Sequence, residues 1–210
     1  MQTPNVQHYF NQVAPQWDAL RSEYFTAAMR DDAIARAQLP PNAVVADIGT
    51  GTGFVAGRLA QLFANVCGFD ANPAMLAIAR QKLAHLANVE FHQAEGSQIP
   101  VSTGSFDGVF ANMYLHHAPD PFAAIQEMAR ITKVGGVVCI TDLDTHHHEW
   151  QHAVMADLWL GFERTQIKDW FEQAGLTAVE VDCAAGSCCA VAPDGSQDAL
   201  SIFVAIGRKA

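Results

Sequence analysis

Basic residues are scarce in this chain of 210 residues. Twelve Lys and Arg stand against twenty-two Asp and Glu, a net charge of −10. That surplus would repel a polyanionic backbone, so nucleic acid is not an expected partner. Half the residues are hydrophobic, yet no apolar run is long enough to cross a bilayer, and no membrane insertion is expected. The opening Met1-Gln2-Thr3-Pro4 lacks the basic start and apolar core of a secretory signal. Cysteines number only five, an odd count that suits reduced thiols in the cytoplasm better than a disulfide framework. No internal repeat or low-complexity tract is apparent, and the length suits one domain with a sizeable core.

What the chain does have is strand–helix alternation from residue 43 onward, the pattern of a parallel sheet with helices on both faces. Residues 44–54, Val-Val-Ala-Asp-Ile-Gly-Thr-Gly-Thr-Gly-Phe, are its most informative stretch. A buried strand ends near the acidic Asp47; Gly49, Gly51 and Gly53 follow, and Phe54–Leu62 reads as a helix. Such a turn lets a ligand lie directly on backbone at a helix N-terminus. The dinucleotide fingerprint Gly-x-Gly-x-x-Gly fails here because Phe54 stands at its third glycine, which disfavours a nicotinamide oxidoreductase. A second apolar run, Asn65–Phe69, ends at Asp70, followed by Ala71. A carboxylate about 20 residues past the glycines can accept two hydrogen bonds from a ribose diol. Asn72-Pro73 then caps and opens a helix over Ala74–Leu86.

Gly-x-Gly-x-Gly after an acidic strand end resembles the first motif of class I S-adenosylmethionine-dependent methyltransferases. Val89–Val101 is similar to the third strand and adenine loop of the ubiquinone/menaquinone-biosynthesis type. Ser105–Phe110, Leu115-His116-His117 and Ala129–Gly136 match later motifs in order, before a fifth strand over Val137–Thr141. Val134 departs from the usual proline, in a turn. The resemblance covers about residues 40–142 closely. It implies a Rossmann-like, seven-stranded, mostly parallel sheet whose last strand runs antiparallel beside the fifth. Residues 1–40 would form an N-terminal helical lid and 41–210 the cofactor domain. The implied cofactor is S-adenosylmethionine: Gly49, Gly51 and Gly53 against its methionine part, Asp47 reaching the ammonium, Asn112 flanking that end, and Glu95 with Gly96 at adenine. The implied partner is a small-molecule methyl acceptor.

An anionic acceptor needs no base, but a phenol or an activated carbon does, and His116 and His117 are the candidates. Their alternative role is structural, one capping a helix and the other packing under the sheet edge. The first 24 residues read as amphipathic helix over Val6–Leu20, with a second helix from Glu23 to Gln38. Tyr9, Trp17 and Arg21 there are lid candidates; the aromatics also fit a plain apolar stripe. His146–His152 contains His148-Glu149-x-x-His152, a zinc-hydrolase pattern, although His147 and its neighbours suit a substrate entrance better. No metal site is assigned. Cys183, Cys188 and Cys189 cluster about the long loop before the last strand, and soft thiolates there would suit arsenite or thiol methylation as in arsenite methyltransferases. A non-catalytic module that binds S-adenosylmethionine is the remaining alternative.

Overall fold

The computed structural model describes residues 5–22, 24–185 and 200–210. Seven strands form one sheet: β1 (Val44–Ile48), β2 (Asn65–Asp70), β3 (Val89–Gln93), β4 (Phe106–Asn112), β5 (Thr132–Leu143), β6 (Leu176–Cys183) and β7 (Ile202–Lys209). Their order is β3-β2-β1-β4-β5-β7-β6. The first five run parallel, while β7 is antiparallel to both β5 and β6. The order reverses between β1 and β4, so a crevice opens beyond the carboxyl ends of those two strands. Ile48 of β1 lies in register with Phe69 of β2 and with Ala111 of β4, which sets Asp70 and Asn112 on either side of the glycine turn.

The helices are α1 (Val6–Val13), α2 (Trp17–Ser22), α3 (Ala27–Arg36), α4 (Phe54–Leu62), α5 (Pro73–Lys82), α6 (Pro121–Ile131), α7 (Trp150–Val154) and α8 (Arg164–Gln173). Alternation along β4 shows why both faces are covered. Val109 and Ala111 join a core with Ile125 and Met128 of α6 and Phe171 of α8. Phe110 joins the opposite core with Ile34 of α3 and Val55 and Leu59 of α4. Side chains that alternate between two apolar faces require helices on each.

Several boundaries differ from expectation, and α5 ends at Lys82 rather than Leu86. The single helix over Val6–Leu20 is split: Pro15 lacks an N–H, and Ala14–Gln16 form a 3₁₀ turn between α1 and α2. The next helix starts at Ala27 rather than Glu23, because Thr26 caps it, its hydroxyl accepting from Met29 N at 3.3 Å. The turn expected before the fifth strand is a bulge inside β5. The β4–β5 register shifts between Phe106 and Gly108, and Gly135 takes a φ of +80°.

Candidate active site

The glycine turn is held from beneath. Asp47 is 1 % exposed, and its Oδ2 accepts from Thr50 Oγ1 at 2.7 Å and from Ala56 N at 3.0 Å. Burial pushes this carboxyl up to about 7 against those two hydrogen bonds. Asp70 holds the turn from the side: Gly51 N and Asn72 N each donate to one of its oxygens at 2.8 Å. Its pKa is raised by burial, opposed by the two amides, with Glu95 adding repulsion. Each carboxylate oxygen keeps a second lone pair for a ligand.

Above the turn lies a cavity of about 580 Å³, within the about 300–1,000 Å³ common for small-molecule sites. Gly49, Gly51, Asp70, Ala71, Glu95, Gly96 and Asn112 line it, together with Trp17, Arg21 and His117. A Cβ at Gly51 would meet Trp17 Nε1 at 3.7 Å and Gly49 O at 4.0 Å. Asn112 accepts from Thr141 Oγ1 at 2.6 Å. The next residue, Met113, has a φ of +52°, and its N–H donates to Thr141 O at 2.8 Å. Backbone strain of this kind collects at functional sites.

Tyr114 is a lining residue that sequence reasoning missed. Its ring rests against Gly49, where an added Cβ would stand 2.6 Å from Cδ2, and its hydroxyl lies over Gly96. Two glycines thus make room for one ring. The available signal was its position, two residues past Asn112 and just before Leu115-His116-His117. Phe10, Met75, Pro119 and Leu158 complete the apolar part of the wall.

The N-terminal helices cover the opening. Asn72 Nδ2 donates to Asn11 Oδ1 at 2.9 Å, fastening α1 to the start of α5. Asp18 of α2 accepts from Thr52 Oγ1 at 2.7 Å and pairs with Lys82 Nζ at 2.5 Å. Phe10 meets Trp17 and His117 edge to face, with ring centroids 5.2 and 4.9 Å apart. The Arg21 guanidinium stacks 3.5 Å from the Phe54 ring centre.

Five expected site residues do not line the cavity. Asp47 is spent beneath the turn, and Gly53 caps α4 on the side facing Leu83. Tyr9 points instead to Met155, its hydroxyl 3.5 Å from the sulfur. His147 is exposed on the segment before α7. His116 lies deeper than His117: its Nδ1 is 2.6 Å from Asp142 Oδ1, in a buried pair. Burial opposes charge on this ring, but the Asp142 carboxylate outweighs it and lifts the imidazole to about 9. Burial and the neighbouring His116 charge drive His117 well below the usual range, so it is neutral.

The zinc-hydrolase pattern is not built as a helix motif. His148 precedes α7, so His148 and His152 do not share a helix face, and His152 Nδ1 is engaged with Asp157 O at 2.6 Å. Cys183 ends β6 at the far edge of the sheet and is not among the lining residues. Cys188 and Cys189 lie outside the described residues.

In this doubly wound sheet, a backbone cradle and a carboxylate at the end of β2 meet at the point where the strand order reverses. Comparison with known proteins identifies the family. The methyltransferase-domain family matches residues 46–140. A rice chloroplastic 2-methyl-6-phytyl-1,4-hydroquinone methyltransferase is 33% identical over 162 residues, 75% of this chain and 48% of that protein. The ubiquinone/menaquinone biosynthesis C-methyltransferase UbiE of Coxiella burnetii is 31% identical over 149 residues, covering 67% of this chain and 60% of its own length. The chain thus spans about half to three-fifths of the curated relatives it matches. In fold, it resembles an Aquifex aeolicus SAM-dependent methyltransferase, with a TM-score of 0.73, 19% identity, and coverage of 96% of this chain and 98% of that one. The chain belongs to the S-adenosylmethionine-dependent methyltransferases. No helix among the described residues is long and apolar enough to cross a membrane.

Proposed function

We propose that this protein transfers a methyl group from S-adenosylmethionine to a small aromatic acceptor of the quinol type. The observation that carries the reading is the single cavity in which bare backbone at Gly49 and Gly51 faces Asp70 and Glu95, with an aromatic wall opposite. The fit to the cofactor is chemical: a backbone cradle, a carboxylate with free lone pairs for a diol, and an acidic residue for an adenine amino group. In this reading Asp70 and Ala71 hold the ribose, Glu95 and Gly96 the adenine, and Gly49, Gly51 and Asn112 the methionine end. Asp47 and Gly53 shape the turn from outside the cavity. Bound S-adenosylmethionine supplies an electrophilic methyl group on a sulfonium.

The chain's own work is positioning, water exclusion and one proton. Residues 1–40 act as the lid of a domain over 41–210, with Phe10 and Trp17 closing the acceptor end. Arg21, Trp17 and His117 face the acceptor. His117 is the general base, because it is neutral and lines the cavity. A proton on its Nδ1 suits Ala156 O at 3.4 Å and Asp157 Oδ1 at 3.7 Å, and leaves Nε2 free to accept. His116, already charged and paired with Asp142, positions its neighbour. The quinol class is favoured by the names of the relatives and by the apolar wall. The expectation of reduced thiols is corrected at Cys183, which is disulfide-bonded, so cysteine usage does not support a cytoplasmic location.

Incubation with methyl-labelled S-adenosylmethionine and a panel of quinols, phenols, amines, thiols and arsenite tests this. Label is expected in a quinol and to fall at least tenfold in His117→Ala with cofactor binding retained. Transfer only to arsenite or thiols, or none to any acceptor despite cofactor binding, would contradict it.

A further inference from the structure

Behind the cofactor cavity, residues of three separate segments converge on a second, much smaller space. His116 and His117 follow β4, Asp142 ends β5, and Gln151 and Asp157 come from α7 and the residues after it. The space measures about 40 Å³ and is lined by His116, His117, Gln151 and Asp157 among others, enough for one ion or one water. His116 Nε2 and His117 Nδ1 lie 3.9 and 3.7 Å from the same oxygen, Asp157 Oδ1. That oxygen has no hydrogen-bond partner although Asp157 is only 2 % exposed. Gln151 is equally buried, and its Oε1 is also without a partner. Most buried oxygens in native folds are satisfied, so two unmatched acceptors at one small cavity, which Arg21 with its own unmatched Nε also lines, leave a place for a cation beside the two imidazoles.

We propose that His116, His117 and Asp157, with Gln151 Oε1 completing the set, bind one divalent transition-metal ion. An ion about 2.1 Å from tetrahedral ligands spaces them by about 3.4 Å; the two nitrogen-to-oxygen spacings, 3.9 and 3.7 Å, are close to that, and the three ligand atoms all lie within 4.8 Å of one another. The donor set of two imidazoles with oxygen ligands suits zinc, cobalt or nickel rather than magnesium. Asp142 supplies the outer support such sites use. It holds one proton of His116 on Nδ1 and leaves Nε2 turned inward, and it is itself held by Leu115 N at 2.7 Å and Leu143 N at 2.8 Å. Loading displaces the second proton of His116 to solvent. It also takes the lone pair of His117 Nδ1, so the hydrogen that Nδ1 carries in the empty site shifts to Nε2. A loaded site therefore presents an N–H donor to the cofactor cavity, whereas an empty one presents a base.

The test is titration of metal-stripped protein with Co²⁺, followed by visible absorption. A band saturating at one equivalent, reversed by Zn²⁺, is expected. Asp157→Asn should weaken Co²⁺ binding at least tenfold while S-adenosylhomocysteine still binds, which certifies the fold. Should that variant fold poorly, Gln151→Leu is expected to weaken Co²⁺ about tenfold. A His146/His147/His148→Asn triple variant should keep the band, because none of those rings is in the set. No saturable band in wild type would mean the cluster holds a proton only and would overturn the site. So would a band that survives Asp157→Asn or vanishes in the triple variant. Cofactor binding is read separately, so loss of the metal site leaves the methyltransferase reading intact.

Discussion

At the scale of the residue, two strand-end carboxylates behave differently. Asp47 and Asp70 look alike in sequence, each closing a short apolar strand, but only Asp70 lines the cavity. Replacing Asp70 with Ala removes both its support of Gly51 N and its proposed ribose bonds. Calorimetry should show S-adenosylmethionine affinity weaker by about 1–3 kcal/mol, and unchanged affinity would contradict the ribose role. Asp47 has a stability signature instead. Its folded pKa of about 7 lies above the ordinary carboxylate value, so the folded protein keeps a proton that the unfolded chain releases. Stability from this group is therefore greatest in acid and falls as pH rises from about 4 to 7. Asp47→Asn should flatten that part of the Tm-versus-pH curve of the ligand-free protein, and an identical slope would refute the shift. Glycine positions and Asp70 were legible because spacing in sequence dictates them. Asp47's burial was not, since the hydroxyl of Thr50 and the amide of Ala56 that occupy it depend on how the turn closes.

At the scale of the element, the parallel strands and their helices follow the hydrophobic pattern closely, and the errors sit where local chemistry overrides it. Pro15 breaks an amphipathic stripe that otherwise runs on, and Thr26 takes the cap that Glu23 was expected to precede. The bulge in β5 depends on strand pairing with β4, which no single segment encodes. The covering of the cavity by α1 and α2 came from family resemblance, while its fastening through Asp18 and Asn72 is visible only in three dimensions. Asp18 is about half exposed, so its pairs are worth only about 0.2–1 kcal/mol. Asp18→Ala should therefore leave Tm nearly unchanged yet raise amide exchange across residues 6–22 and speed cofactor release. Equal exchange in the variant would mean that the lid is held by its aromatics alone.

At the scale of the whole molecule, strand order does what no single residue can. The reversal between β1 and β4 puts the glycine turn, Asp70, Glu95 and Asn112 on one rim, and the N-terminal helices close over it. Order and spacing of motifs made this legible from sequence; Tyr114 and Leu158, which complete the cavity wall from distant segments, were not. Net charge of −10 agrees with an uncharged or cationic ligand but does not choose one. The decisive measurement is calorimetric titration of the purified protein with S-adenosylmethionine, with NADH as the comparison ligand. One saturable site for S-adenosylmethionine and no heat with NADH is the predicted result; saturable NADH binding, or none by S-adenosylmethionine, would contradict the account.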